Sequence, residues 1–160
     1  MVEYGLMGIG AALAISAVGS SLGIGAAGQA VIGAWKKAFM QNKPASFMLL
    51  AFTGFPLSQT FYGLILMNTI VASAHLLESG VILGIGIFGG LAIGTSAYLQ
   101  GVAGAGAVDA FAETGKGFTN YVLVLGVIES VALLAMVFLM TMINTMAGLS
   151  LQKSPCWRSE

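Results

Sequence analysis

The sequence predicts an all-α chain that crosses a membrane four times, and three observations carry that reading. The 160 residues are 58% hydrophobic and only 8% charged, against about 25% charged in ordinary soluble domains; the mean hydropathy is +0.94. The charges are clustered at Glu3, at Lys36, Lys37 and Lys43, at Glu78, at Asp109, Glu113 and Lys116, and in the tail. Between clusters run apolar stretches of about 30 residues, enough for ~20 spanning positions and their ends. They place helices at about 5–34, 47–74, 80–111 and 120–147. Residues 1–79 then form a first helical hairpin, 80–147 a second, and 148–160 a polar tail expected to extend loosely. The formal net charge is zero and no basic patch points to nucleic acid. The single cysteine, Cys156, rules out an internal disulfide framework.

The first helix opens without the positively charged segment of a signal peptide, and its apolar pattern runs too long for one. A retained span is expected. It carries Gly5, Gly8, Gly10, Gly19, Gly23, Gly25, Gly28 and Gly33, and the third helix is equally rich, from Gly84 to Gly106. Inside lipid, small residues four apart let helix backbones approach closely; Gly19 and Gly23, Gly86 and Gly90, and Gly90 and Gly94 have that spacing. Gly23-Ile-Gly-Ala-Ala-Gly28 matches a dinucleotide fingerprint by letter. That motif requires a preceding strand and an acidic residue about 20 positions on, and neither is present. These glycines are packing residues.

The second helix concentrates polarity on one face. Phe55, Ser58, Gln59 and Tyr62 are spaced i, i+3, i+4, i+7, so they share one side of a helix. Pro56 lacks a backbone donor and clashes with the carbonyl one turn earlier, which frees the Phe52 oxygen near this face. The fourth helix holds Glu129; no other Asp, Glu, Lys or Arg lies between Lys116 and Lys153. A lone carboxylate at bilayer depth costs about 2.5–3.5 kcal/mol on insertion scales and marks a functional site. Gln100 on the third helix lies 29 residues earlier, the separation of a helix that reaches a loop and returns to the same depth.

The chain also has the marks of an internal duplication. Gly19-Ser-Ser-Leu-Gly-Ile-Gly25 in the first helix corresponds to Gly94-Thr-Ser-Ala-Tyr-Leu-Gln100 in the third. Phe55-Pro-Leu-Ser-Gln-Thr60 in the second corresponds to Leu125-Gly-Val-Ile-Glu-Ser130 in the fourth, which sets Gln59 opposite Glu129. Thin glycine-rich helices alternating with bulky ones fit a ring with thin helices inside and bulky ones outside. The lysine-bearing connections after the first and third helices face the cytoplasm by the positive-inside rule, which puts both termini outside. Lys153 and Arg158 oppose that orientation.

Glu129, Gln59, Gln100, Ser58 and Tyr62 are therefore expected to converge. Unpaired amides and hydroxyls are costly in hydrocarbon, so they should meet one another or a ligand. Carboxylate, amide, hydroxyl and carbonyl oxygens suit a hard cation. A proton alone would need only the carboxylate, so the additional oxygens favour Na⁺ over H⁺. Tyr62 can donate to Glu129 and close the site. On the residues alone the competing class is a small proton-coupled multidrug-type exporter with Glu129 as its coupling acid. The duplicated hairpin, the two glutamines and the scarcity of aromatics at the depth of Glu129 speak against it.

Phe55-Pro-Leu-Ser-Gln-Thr-Phe-Tyr-Gly63, the Ile128-Glu-Ser130 context and the glycine-rich duplicated hairpins resemble the proteolipid (the K or c subunit) of V-type and archaeal-type rotary ATPases, over essentially residues 5–147. The resemblance implies a homo-oligomeric rotor ring and a non-catalytic role, with Glu129 as the ion carrier. It further implies sodium ligands at Glu129, Gln59, Gln100, Ser58 and the Phe55 backbone carbonyl, and a latch at Tyr62. The serine stands where threonine is frequent in that family. Implied partners are a static membrane subunit with a basic residue and a central stalk on the loops bearing Lys36, Lys43, Asp109 and Lys116, with lipid around the ring. The expected location is a prokaryotic plasma membrane.

Overall fold

In a computed structural model, which describes residues 3–153, the chain is a bundle of long helices. Helix α1 spans Glu3–Met40, α2 Phe47–Leu76, α3 Ser79–Thr114 and α4 Phe118–Lys153. All four are long and apolar enough to cross a membrane, and the chain is an integral, multi-pass membrane protein. α1, with 38 residues, is about 57 Å long at 1.5 Å per residue, whereas hydrocarbon is about 30 Å thick. Its ends therefore stand in the headgroups or in water. The expected limits of 5–34, 80–111 and 120–147 fall short for this reason, since Lys, Glu and Gln leave the hydrocarbon without breaking a helix. α4 runs to Lys153, so residues 148–153 of the expected tail are helical. The rest of that tail, with Cys156, lies outside the described residues.

Helix ends follow local chemistry. α1 ends at Met40, and two residues on the chain turns at Asn42, whose φ of 56° is left-handed backbone that asparagine tolerates. α3 stops at Gly115, with φ 64° and its N–H bonded to the Phe111 carbonyl at 2.8 Å, a glycine C-cap. α2 is a chain of short pieces. A 3₁₀ turn at Phe55–Leu57 interrupts it around Pro56 before the regular helix Ser58–Ser73 begins, as proline in a helix interior predicts.

The most extensive pairing joins α1 to α3. A methyl group on Gly19 would overlap the backbone of Gly94, and one on Gly101 would overlap that of Gly23, so the two backbones touch. α2 packs on both members of that pair, and α4 packs on α2 and α3. Two apolar clusters fill the bundle. One gathers Leu66, Ile70, Ile93, Ala132 and Ile143. The other gathers Phe52, Val108, Phe111 and Leu125 and adjoins the loops, where Phe118 and Tyr121 add their rings. Lys37 Nζ meets Glu113 Oε1 at 2.8 Å, so the α1–α2 and α3–α4 loops share one end of the molecule.

Candidate functional site

A thin polar layer lies between the two apolar clusters. Along α4, Leu125 belongs to one cluster and Ala132 to the other, which brackets Glu129 at mid-depth. Glu129 lies 11 residues after Phe118, about 16 Å along the helix. Gln100 lies 14 residues before Thr114, about 21 Å from that end of α3. The two thus reach one level from adjoining helices, as their spacing in sequence predicts.

The side chains form a continuous hydrogen-bond chain. Ser58 Oγ donates within reach of both the Phe55 carbonyl, at 3.0 Å, and Gln59 Oε1, at 3.1 Å. Gln59 Nε2 donates to Gln100 Oε1 at 2.7 Å, and Gln100 Nε2 donates to the Leu125 carbonyl at 2.9 Å. Gln100 Nε2 also lies 3.5 Å from Glu129 Oε2. On its other oxygen, Oε1, Glu129 accepts a 2.6 Å bond from the Tyr62 hydroxyl. Gln59 and Gln100 are fully buried, whereas Ser58, Tyr62 and Glu129 are half-buried. The site is closed on its inner side by amides and reaches the bundle surface at the carboxylate.

Glu129, Gln59, Gln100, Ser58, Tyr62 and the Phe55 carbonyl therefore lie in one cluster, with one qualification. Gln59 reaches Glu129 through Gln100 rather than directly. The two carbonyls near Pro56 also separate. That of Phe55 takes the Ser58 hydroxyl, whereas that of Phe52 faces Gly104 of α3, where an added Cβ would stand 3.1 Å away. The freed acceptor thus sits in the helix seam, one turn from the polar cluster.

Sequence reasoning missed two contributors. Ser96 is buried and donates to the Ile128 carbonyl at 3.0 Å. Its position four residues before Gln100 was the available signal, because the two share a helix face. The Leu125 carbonyl is a backbone atom and left no trace in the residue pattern.

Chemically, the cluster offers a carboxylate, a hydroxyl, two amide oxygens and backbone carbonyls, all hard donors suited to a cation with no taste for nitrogen or sulfur. Among the described residues no group of three or more His, Cys, Asp or Glu side chains is gathered. That donor set fits a singly charged ion better than a transition metal. A comparison with curated proteins returned no significant match. Over residues 83–142, most of α3 and α4, the chain matches the family model of the ATP synthase C subunit, the non-catalytic, ion-carrying ring component of rotary ATPases.

Proposed function

We propose that this chain is a rotor-ring subunit of an ATP-driven rotary ion pump and that it carries one Na⁺ per protomer on Glu129. The observation that carries the proposal is the seating of Glu129, with Tyr62 on one carboxylate oxygen and the buried Gln59–Gln100 amide pair behind the other. The Phe55 carbonyl and Gln59 Oε1 lie 3.0 and 3.1 Å from the Ser58 hydroxyl. Small rotations of Ser58 and of the two amides turn these oxygens toward a cation beside Glu129. Tyr62 then latches the loaded carboxylate.

The ion is cargo, and its charge makes the movement possible. A loaded, neutral site can pass through lipid; an unpaired carboxylate there carries a large desolvation penalty. A static membrane subunit supplies a basic residue that displaces the ion, and a central stalk seats on the loops around Lys37 and Glu113. One charge moved across 100 mV is worth about 2.3 kcal/mol, which ATP hydrolysis in a soluble head provides. With one carboxylate per four helices, few ions move per turn for a given ring girth, which suits building a gradient. The two hairpins act as repeats of one unit, of which the second keeps the acid and the first its amide, Gln59.

Glycines that do nothing within one chain support the ring. Gly25 and Gly28 of α1 meet no atom within 4 Å at the position of a Cβ. Gly28 lies nine residues after Gly19, and at 100° per residue it points away from the α3 seam. A neighbouring copy closing on this bare face explains why side chains are missing there.

Carbodiimide labelling tests the proposal, because the reagent attacks the protonated acid. Labelling of Glu129 in the purified assembly should be suppressed by Na⁺ and not by K⁺. A Gln100→Leu variant should keep the label and need at least about tenfold more Na⁺ for protection, the cost of losing a ligand and stranding Gln59 Nε2. Equal protection by both ions, or by neither, would remove the sodium site. Protection by lipophilic cations would turn the assignment to the exporter.

A further inference from the structure

We propose that Ser96 is a positioning residue for Glu129: together with Gln100 it grips the α4 turn that carries the carboxylate and so sets the affinity for the ion. The inference rests on the sodium-carrier function proposed above and adds a residue to it. Hydroxyls on transmembrane helices usually bond back to their own helix, as Ser16 does to Ala12, Thr95 to Leu91 and Ser130 to Val127. Ser96 departs from that habit. Its Oγ crosses to α4 and donates to the Ile128 carbonyl at 3.0 Å, while Gln100 Nε2, one turn along α3, donates to the Leu125 carbonyl at 2.9 Å.

These two carbonyls bracket the turn leading into Glu129. The Leu125 oxygen is the acceptor that helix geometry assigns to the Glu129 N–H, and Ile128 is the adjacent residue. Most of the surface of α4 is apolar and exposed, from Leu123 and Val124 through Val127, Val131 and Phe138. In lipid such a surface has no hydrophobic reason to prefer one rotation about the helix axis over another. A pair of bonds from one face of α3 to carbonyls about one turn apart on α4 supplies that preference. With 100° between residues, a modest roll of α4 would swing the carboxylate off Tyr62 and Gln100 toward lipid. Ser96 therefore acts through the helix backbone and needs no contact with the ion.

The test uses the full-length assembly with Ser96→Ala and, as a neighbouring control, Thr95→Ala, whose hydroxyl bonds only within α3. The Na⁺ concentration that half-protects Glu129 from carbodiimide should rise about three- to tenfold in Ser96→Ala, the range of interhelical hydrogen bonds in membranes. Thr95→Ala should leave it unchanged, and thermal dissociation of both assemblies should match that of the unaltered one. An unchanged half-protection concentration in Ser96→Ala overturns the proposal, and does so equally if thermal stability falls, since the bond is then only a staple. If the unaltered assembly shows no protection by Na⁺, the sodium function itself has failed. Ser96 is then judged by the labelling rate without sodium: a changed rate in Ser96→Ala supports positioning, and an unchanged one overturns it.

Discussion

The α1–α3 seam and the α2–α3–α4 polar layer are held together by opposite means. Along the seam, side chains have been removed until backbones touch, as at Gly19 against Gly94 and Gly23 against Gly101. In the polar layer, side chains do the joining, through Gln59–Gln100, Tyr62–Glu129 and Ser96–Ile128. Lipid tails are as apolar as leucine, so helices in a membrane associate through close packing and polar bonds, and this chain assigns one device to each side of α3. The seam gives a rigid pair with no tolerance for added volume. The polar layer gives bonds that can be exchanged for bonds to an ion, which suits a site that must load and unload.

Damage to the seam should be the most severe. Gly19→Ala places a methyl on the Gly94 backbone, which cannot yield as a flexible side chain can. Overpacking of this kind costs about 1–3 kcal/mol or more, measured as a lower denaturant midpoint and poorer accumulation in membranes. If Gly19→Ala matches the unaltered protein, the two backbones do not touch at this point.

A second substitution probes a glycine on the opposite face of α1. A Cβ at Gly28 meets nothing within 4 Å in the chain, so with Gly28→Leu each chain should fold as before while the assembly fails to close. Native mass measurement should find monomers or broken rings in place of a single closed species. An intact ring would show that neighbours do not approach along this face.

The mildest consequence is expected in the polar layer. Tyr62→Phe deletes the 2.6 Å bond to Glu129 and leaves the ring in place. A bond of about 1 kcal/mol, within the range for membrane interiors, corresponds to about fivefold more Na⁺ for half-protection of Glu129. Fold and assembly should be untouched. Unchanged protection would deny Tyr62 the role of latch.

The four spans, the glycine-rich pair and the identity of the acid at mid-depth were readable from the residues alone. Charge clusters and small-residue spacing are one-dimensional signals, and the bilayer leaves only helices to satisfy the backbone. The face shared by Ser58, Gln59 and Tyr62 was legible for the same reason, since helical periodicity translates position into direction. The helix ends were not legible, because polar residues leave the membrane without stopping a helix. Nor were the Leu125 and Ile128 carbonyls: every residue carries one, and only the register of α3 against α4 decides which are reached. That register is a property of packing between segments about 30 residues apart in the chain, governed by contacts at glycines and by the turn at Gly115. It decided that Gln59 reaches Glu129 through Gln100, and it brought Ser96 into the site.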